Sequence, residues 1–401
     1  MKYFQLFLLS FLLAAGLAQA KAKKVDDYYW TGVERVVAIG DLHGDYEQYI
    51  AVMKSAGLID ERGRWVGGKT HLVQTGDITD RGPDSRKIID HLVKLAKQAR
   101  KKGGYIHMLI GNHEAMNVVG DLRYVSDGEY KAFAGRNSAR FQELQWQRQV
   151  EWMRTNVPEF EELDLEAYRL EWEKQVPLGW VEHRQAWSLN GDYGKWVKDN
   201  KVAIRINDTI FLHGGISAKY CKDSLQSLTE QVMVAMANHD PAVITIVNDP
   251  LGPLWYRGLA NEDESDEIYS QTLDNILNRY GIKRIVIGHS PTGGVVWPRF
   301  DQRVIANDTG IAAYYGAHKG LLELTPEGVF AIYDDLKIPL PGRNDERVEY
   351  LRAVIEADAN NAQLKQRLAI LLAPPPEATG ELTDVESEDG EAVIASPGTC
   401  Q

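Results

Sequence analysis

The chain predicts an α/β fold. Three observations carry that expectation. Short apolar runs suited to strands alternate with amphipathic helical stretches from Glu34 onward. A glycine-bearing polar motif closes each of the first strands. The composition, 44% hydrophobic and 25% charged over 401 residues, is that of a globular chain with ample core. In order, RVVAI reads as a strand ending in GDLHGD, followed by a helix from about Asp45 to Ala56. THLVQT is a second strand, ending in GDITDRG. DSRKIIDHLVKLAKQARKK then carries apolar residues at helical spacing, with Asp84 in its first turn and basic residues in its last, which suits the helix dipole. YIHMLI is a third strand, ending in GNHE. The pattern is β-α-β-α-β, with a polar motif at the carboxyl end of each strand, the edge at which open α/β sheets bind ligands.

Residues 116–200 are different: long, helical and rich in tryptophan, with Trp146, Trp152, Trp172, Trp180, Trp187 and Trp196. They read as a helical insert whose aromatics form a core; the alternative is a lid or substrate wall. KVAIRI and TIFLHGG resume the strands through an Asn207-Asp208 hairpin turn. A helix is expected around Ser224–Asn238, and RIVIGHS, VIANDTG, GLLEL and GVFAIYD supply further strands. Asn344 to Ala373 reads as one or two amphipathic helices, a C-terminal extension. Residues 374–401 hold seven acidic residues and no basic one, the composition of a disordered tail.

The first twenty residues, MKYFQLFLLSFLLAAGLAQA, join Lys2 to a short apolar run and an Ala18-Gln19-Ala20 cleavage pattern. They predict a signal peptide over residues 1–20 and an exported protein, periplasmic or secreted, with no stable membrane insertion after cleavage; the apolar run is short for an uncleaved anchor. The net charge of -12 argues against a nucleic-acid partner. Cys221 and Cys400 could pair in an exported protein, but a bond to a mobile tail would have little to hold, and the expectation is that they stay unpaired.

The chemistry gathers at the strand ends, in Asp41, His43, Asp77, Asn112, His113, His213 and His289. Imidazole and carboxylate together suit divalent transition metals. Asp41 and His43 could hold one ion, and Asn112, His213 and His289 a second, with Asp77 bridging through its two oxygens. Two ions roughly 3.5–4 Å apart clamp the attacking and leaving oxygens of an in-line displacement. Each motif alone has a bland reading, a turn with a satisfied histidine or an Asn cap on a helix. Five in this order, each after an apolar strand, do not.

GDLHGD, GDITDRG, GNHE, HGG and GHS resemble the ordered motifs of calcineurin-like metallophosphoesterases. DRG resembles the phosphoprotein phosphatase branch, and GNHEAMNVVGDLRYV with LWYRG is similar to the Shewanella-like protein phosphatases. The resemblance implies a β-sandwich flanked by helices over residues 34–335, with a helical insert at about 117–200 and the helical extension at 344–373. It implies two divalent ions (Mn, Zn or Fe) on Asp41, His43, Asp77, Asn112, His213 and His289. Asp80 would hold His113 protonated as general acid, and Arg81, Arg257, Asn112 and His113 would bind phosphate. It also implies in-line attack by a metal-bridging hydroxide on a phosphomonoester, with a phosphorylated protein or peptide as substrate and a lean toward phosphotyrosine. Where eukaryotic relatives carry SAPNY, this chain has VIANDTG, so their serine/threonine preference and regulatory subunits do not transfer. Two other readings compete: a dinucleoside polyphosphate hydrolase or nucleotidase on the same fold, and a non-catalytic metal-binding interaction protein.

Overall fold

The computed structural model describes residues 27–158, 160–373 and 400. The leader read in residues 1–20 and nearly all of the acidic tail lie outside them. Among the described residues no helix is long and apolar enough to cross a membrane.

The first unit runs β1 (Tyr29–Trp30), β2 (Val36–Ile39), α1 (Tyr46–Ser55), β3 (His71–Gln74), α2 (Ser85–Arg100), β4 (Tyr105–Met108) and α3 (Asn112–Val119). The insert holds α4 (Asp127–Phe133), α5 (Ser138–Asn156), α6 (Leu165–Gln175), α7 (Trp180–Trp187) and α8 (Asp192–Asp199). The second unit is β5 (Ala203–Ile206), β6 (Thr209–Leu212), α9 (Leu225–Ala237), α10 (Gly258–Asn261), α11 (Glu267–Tyr280), β7 (Arg284–Ile287), β8 (Trp297–Arg299) and β9 (Val304–Ala306). The chain then returns through β10 (Gly320–Thr325), β11 (Gly328–Tyr333) and β12 (Leu336–Pro339) to α12 (Arg347–Ala357) and α13 (Ala362–Leu372).

These strands form two mixed six-stranded sheets flanked by helices, ordered β12-β11-β10-β2-β3-β4 and β1-β5-β6-β7-β9-β8. Each contains one parallel triplet, β2-β3-β4 and β6-β7-β9. Period-2 alternation makes the layers. In β2, Val36 and Ala38 pack into a cluster with Ile204, Phe211 and Val286 of the other sheet. Val37 and Ile39 point the other way, onto Val52 of α1 and Ile88 and Leu92 of α2. Both faces are covered, which is why β2 reads as an unbroken apolar run, VVAI, while β3 and β4 bury His71, Gln74 and His107 among their apolar residues. The α1 helix starts where Asp45 accepts from the Gln48 N–H at 3.1 Å. Asp84, expected in the first turn of α2, stands just outside it at the N-cap.

The Asn207–Asp208 turn joins antiparallel β5 and β6, with Asn207 in the left-handed region at φ 55°. In the insert, Trp146, Met153, Phe160, Trp172 and Val176 form a small core of their own, while Trp187 is buried in the main one and stacks on Tyr193. Trp152 is exposed.

The cysteine expectation is corrected. Cys221 and Cys400 are disulfide-bonded, with Cα atoms 6.2 Å apart, and both are buried in the inter-sheet cluster. Composition describes the tail's residues one by one, whereas pairing depends on where the chain end docks. The bond closes a loop spanning 179 residues, so removing it should free the unfolded chain substantially. Peptide mapping without reductant should recover the Cys221–Cys400 pair, and Cys400→Ser should lower unfolding stability by about 2–4 kcal/mol in denaturant titration.

Candidate metal centre

The two parallel triplets aim their carboxyl ends at one point. Asp41 follows β2, Asp77 follows β3, Asn112 and His113 open α3 after β4, His213 follows β6, and His289 follows β7. The loops meet by close backbone approach. A Cβ on Gly76 would stand 2.7 Å from the Gly111 Cα, and one on Gly82 would stand 2.5 Å from the His43 carbonyl oxygen. Five non-glycine residues of these loops are held at positive φ: His43 (40°), Asp77 (55°), Asp80 (71°), Arg81 (64°) and His289 (66°). Such strain collects at functional sites, where the surroundings over-determine the backbone.

A buried carboxylate organises this crossing. Glu114, fully buried, accepts the N–H groups of Asp77, Ile78 and Gly111, each at 2.8 Å. It ties the β3 loop to the β4 loop. The His113 N–H in turn donates to Asp77 Oδ1 at 3.0 Å.

Three histidines have one ring nitrogen committed to the backbone. His43 Nδ1 donates to the Thr79 carbonyl (3.1 Å), His213 Nδ1 to the Thr75 carbonyl (3.0 Å) and His289 Nε2 to the Trp255 carbonyl (3.1 Å). Each therefore turns a lone pair to the cluster. His213 Nε2 faces Asn112 Oδ1 at 2.8 Å and Asp77 Oδ2 at 3.3 Å, and His43 Nε2 faces Asp77 Oδ2 at 3.9 Å and Asp41 Oδ2 at 4.0 Å. Lone pairs converging on oxygen acceptors repel unless a cation lies among them, so the donor set fits divalent ions. Two groups can each hold one: His43, Asp77 and His113, and Asp77, His213 and His289. Asp77 belongs to both. Asp41 lies beside them and accepts the His289 N–H at 3.1 Å.

The electrostatics sort these groups. Burial pushes His43 down to about 3 and His289 well below the usual imidazole value, so both are neutral. His113 goes the other way: burial opposes its charge, but Asp77 and the hydrogen bond to Asp80 raise it. Its Nδ1 donates to Asp80 Oδ2 at 2.6 Å, which favours a proton donor over a metal ligand. Burial would raise Asp77, yet His213 and His113 bring it well below the carboxylate range. Asp41 is pushed well up by burial, then by Asp308 and Asp77. Burial and the charge of Asp77 also raise Glu114. Negative charge exceeds what the side chains balance, and divalent cations would correct this.

Arg81, Arg257, Asn112 and His113 all line one cleft with His43, Asp77 and His289. The Arg81 guanidinium lies between two rings, 4.0 Å from the centre of Tyr124 and 4.8 Å from that of Tyr314. Arg257 donates to the His289 carbonyl at 2.7 Å. The walls are Tyr124, Trp255 and Tyr315. Of the tryptophan-rich insert, none of the six tryptophans reaches the cleft; only Tyr124, at its root, does. Trp146 and Trp172 fit the aromatic-core reading, and the insert contributes to the cleft wall through Tyr124 alone among its described residues.

Sequence reasoning missed Asp308, Glu114 and the aromatic walls. Asp308 lies in the cleft, pushed up to about 6 by burial. Its signal was available: VIANDTG follows β9, the third strand of the second parallel triplet, so Asp308 occupies the sixth equivalent strand end. Tyr124 and Tyr315 carry no such mark.

A model of the calcineurin-like phosphoesterase family matches residues 34–293. The chain belongs to that family. This phosphoesterase is 28% identical to Shewanella-like protein phosphatase 2 of Arabidopsis thaliana over 358 residues, 85% of each chain. It is 26% identical to Shewanella-like protein phosphatase 1 of Plasmodium berghei over 272 residues, 67% of this chain and 63% of that protein. Among solved structures it resembles the cold-active protein-tyrosine phosphatase of a psychrophilic Shewanella species, with TM-score 0.58 and 27% identity, covering 78% of this chain and 82% of that one. Family and donor set together make the protein a metal-dependent phosphatase.

Glu114→Gln turns an amide toward N–H donors and breaks the tie between loops. It should cost about 2–4 kcal/mol in denaturant titration and reduce the metal retained after gel filtration, read by elemental analysis.

Proposed function

We propose that the protein is an exported phosphoprotein phosphatase using two divalent ions, with phosphotyrosine as its preferred substrate. The observation that carries this is the Asp80–His113 pair, bonded at 2.6 Å, in one cleft with Arg81, Arg257 and the two overlapping donor groups. Asp41, His43, Asp77, Asn112, His213 and His289 are the residues that would hold the ions. Manganese, zinc or iron held there would supply a readily deprotonated water as nucleophile and positive charge opposite the phosphoryl oxygens.

The protein's own groups do the rest. Arg81 and Arg257 bind the phosphoryl oxygens, and the planar guanidinium fork suits them. Stacking between tyrosines limits the swing of Arg81, so little side-chain freedom is lost on binding. His113 gives its Nε2 proton to the leaving oxygen, and Asp80 steadies the imidazolium through Nδ1. Tyr124, Trp255 and Tyr315 give the cleft aromatic sides that fit a phenyl ester better than a bare alkyl one. The same likeness to a protein-tyrosine phosphatase supports this preference. Export rests on the leader-like first twenty residues and agrees with a buried disulfide.

Three measurements test the reading. Chelation by EDTA should abolish phosphate release and added Mn, Zn or Fe should restore it, while Asp77→Asn stays inactive with metal in excess. Matched peptides should rank phosphotyrosine above phosphoserine and phosphothreonine; turnover of diadenosine tetraphosphate with none of any phosphopeptide would instead install the nucleotide reading. His113 works protonated and its pKa is raised, so kcat should fall as pH rises through that raised value, at higher pH than for an ordinary imidazole. His113→Asn should lower kcat by about 10²–10⁴-fold and remove that alkaline limb.

A further inference from the structure

Behind the Asp80–His113 pair lies a third polar side chain that the mechanism above does not use. Asn117, on α3 one turn beyond His113, is fully buried. Its Nδ2 donates to Asp80 Oδ1 at 2.9 Å and to the His113 carbonyl at 3.0 Å. The orientation of the amide is fixed by chemistry: turned over, Asn117 would set its own oxygen against a carboxylate and a carbonyl, two acceptors with no proton between them. Asp80 is thus held at both oxygens, Oδ1 by Asn117 and Oδ2 by His113. It needs that hold, because its backbone sits at φ 71°, where a non-glycine residue is strained.

The support continues outward into the insert. Arg184, on α7, donates through Nη1 to the Asn117 carbonyl at 2.6 Å, an acceptor close to the C-terminal end of α3. Gly120 closes that helix at φ 98°, and a Cβ there would stand 2.8 Å from Arg184 Nη2. The guanidinium therefore lies flush against the end of α3.

We propose that Asn117 is a positioning residue for the general acid, and that the helical insert acts on catalysis through Arg184, which anchors Asn117. The chain of bonds runs Arg184, Asn117, Asp80, His113. Without the Asn117 amide, Asp80 Oδ1 is left buried and unpaired, and the carboxylate can rotate away from His113 Nδ1. His113 then presents its Nε2–H to the leaving oxygen less often. The inference rests on the phosphatase reading and on His113 as acid.

The test uses leaving-group dependence, which a general loss of structure does not mimic. Phosphate release is measured on a phosphotyrosine peptide, whose phenol has a pKa of about 10, and on dinitrophenyl phosphate, whose phenolate departs without a proton. Asn117→Ala should lower kcat on the peptide about tenfold or more and on dinitrophenyl phosphate less than about twofold, with KM and bound metal unchanged. Asn117→Asp, which sets a second carboxylate against Asp80, should show the same skew. Arg184→Ala should show it more weakly, and Arg184→Lys, which keeps a donor, should recover part of the loss. Should Asn117→Ala fail to fold, the Arg184 pair carries the test from outside the site. Equal losses on both substrates, or none on either, overturn the proposal. Asp80→Asn separates the two levels. If it lacks the skew, the acid assignment itself falls; if it shows the skew and the Asn117 and Arg184 variants do not, only the positioning role does.

Discussion

The site depends on one buried carboxylate that touches no substrate. Glu114 gathers three backbone N–H groups from the β3 and β4 loops. Those loops carry Asp77, Asp80, Arg81, Asn112 and His113. Without that tie the loops would keep buried amide groups with no partner, each costing on the order of 1–3 kcal/mol. A carboxylate is the right group for the task, since one side chain with two oxygens satisfies several donors at once. The sheets bring the strand ends near one another, and Glu114 turns nearness into a fixed arrangement.

That solution concentrates charge. Asp41, Asp77, Asp80, Glu114 and Asp308 are all buried around the cleft. Arg81, Arg257 and a protonated His113 answer part of this, and the neutral His43 and His289 answer none of it. Burial lifts Asp41 and Asp308 alike, with the charge of Asp77 adding to it, while Asp77, beside His213 and His113, is pushed down; the remaining negative charge favours cation binding. Under the proposed function, metal affinity, anion capture and the acid's proton are three aspects of one charge balance.

Much of this was legible in the sequence, for a physical reason. Strands buried on both faces must be written as apolar runs, and the groups that do chemistry must come right after them, so GDLHGD, GDITDRG, GNHE, HGG and GHS announce themselves. Asp308 was hidden because an Asp before Thr-Gly is also ordinary turn chemistry, and only the β7-β9 pairing shows that its strand end faces the same point. Glu114 was in view inside GNHE, but its partners are backbone groups, which leave no spacing to read. Tyr124 and Tyr314 meet across Arg81 from distant parts of the chain, and Cys221 and Cys400 likewise. The tryptophans were conspicuous and mostly structural: Trp146 and Trp172 serve a small core away from the chemistry.

The left-handed backbone at His43, Asp77, Asp80, Arg81 and His289 has an evolutionary consequence. At each of these positions glycine would relax the main chain, so backbone strain on its own favours losing the side chain. Selection for stability alone would erode this site, and selection for turnover would restore it at the expense of stability. Any drift of the chain toward a purely structural role should therefore leave its first trace here, as glycines replacing these side chains while the sheets beneath stay intact.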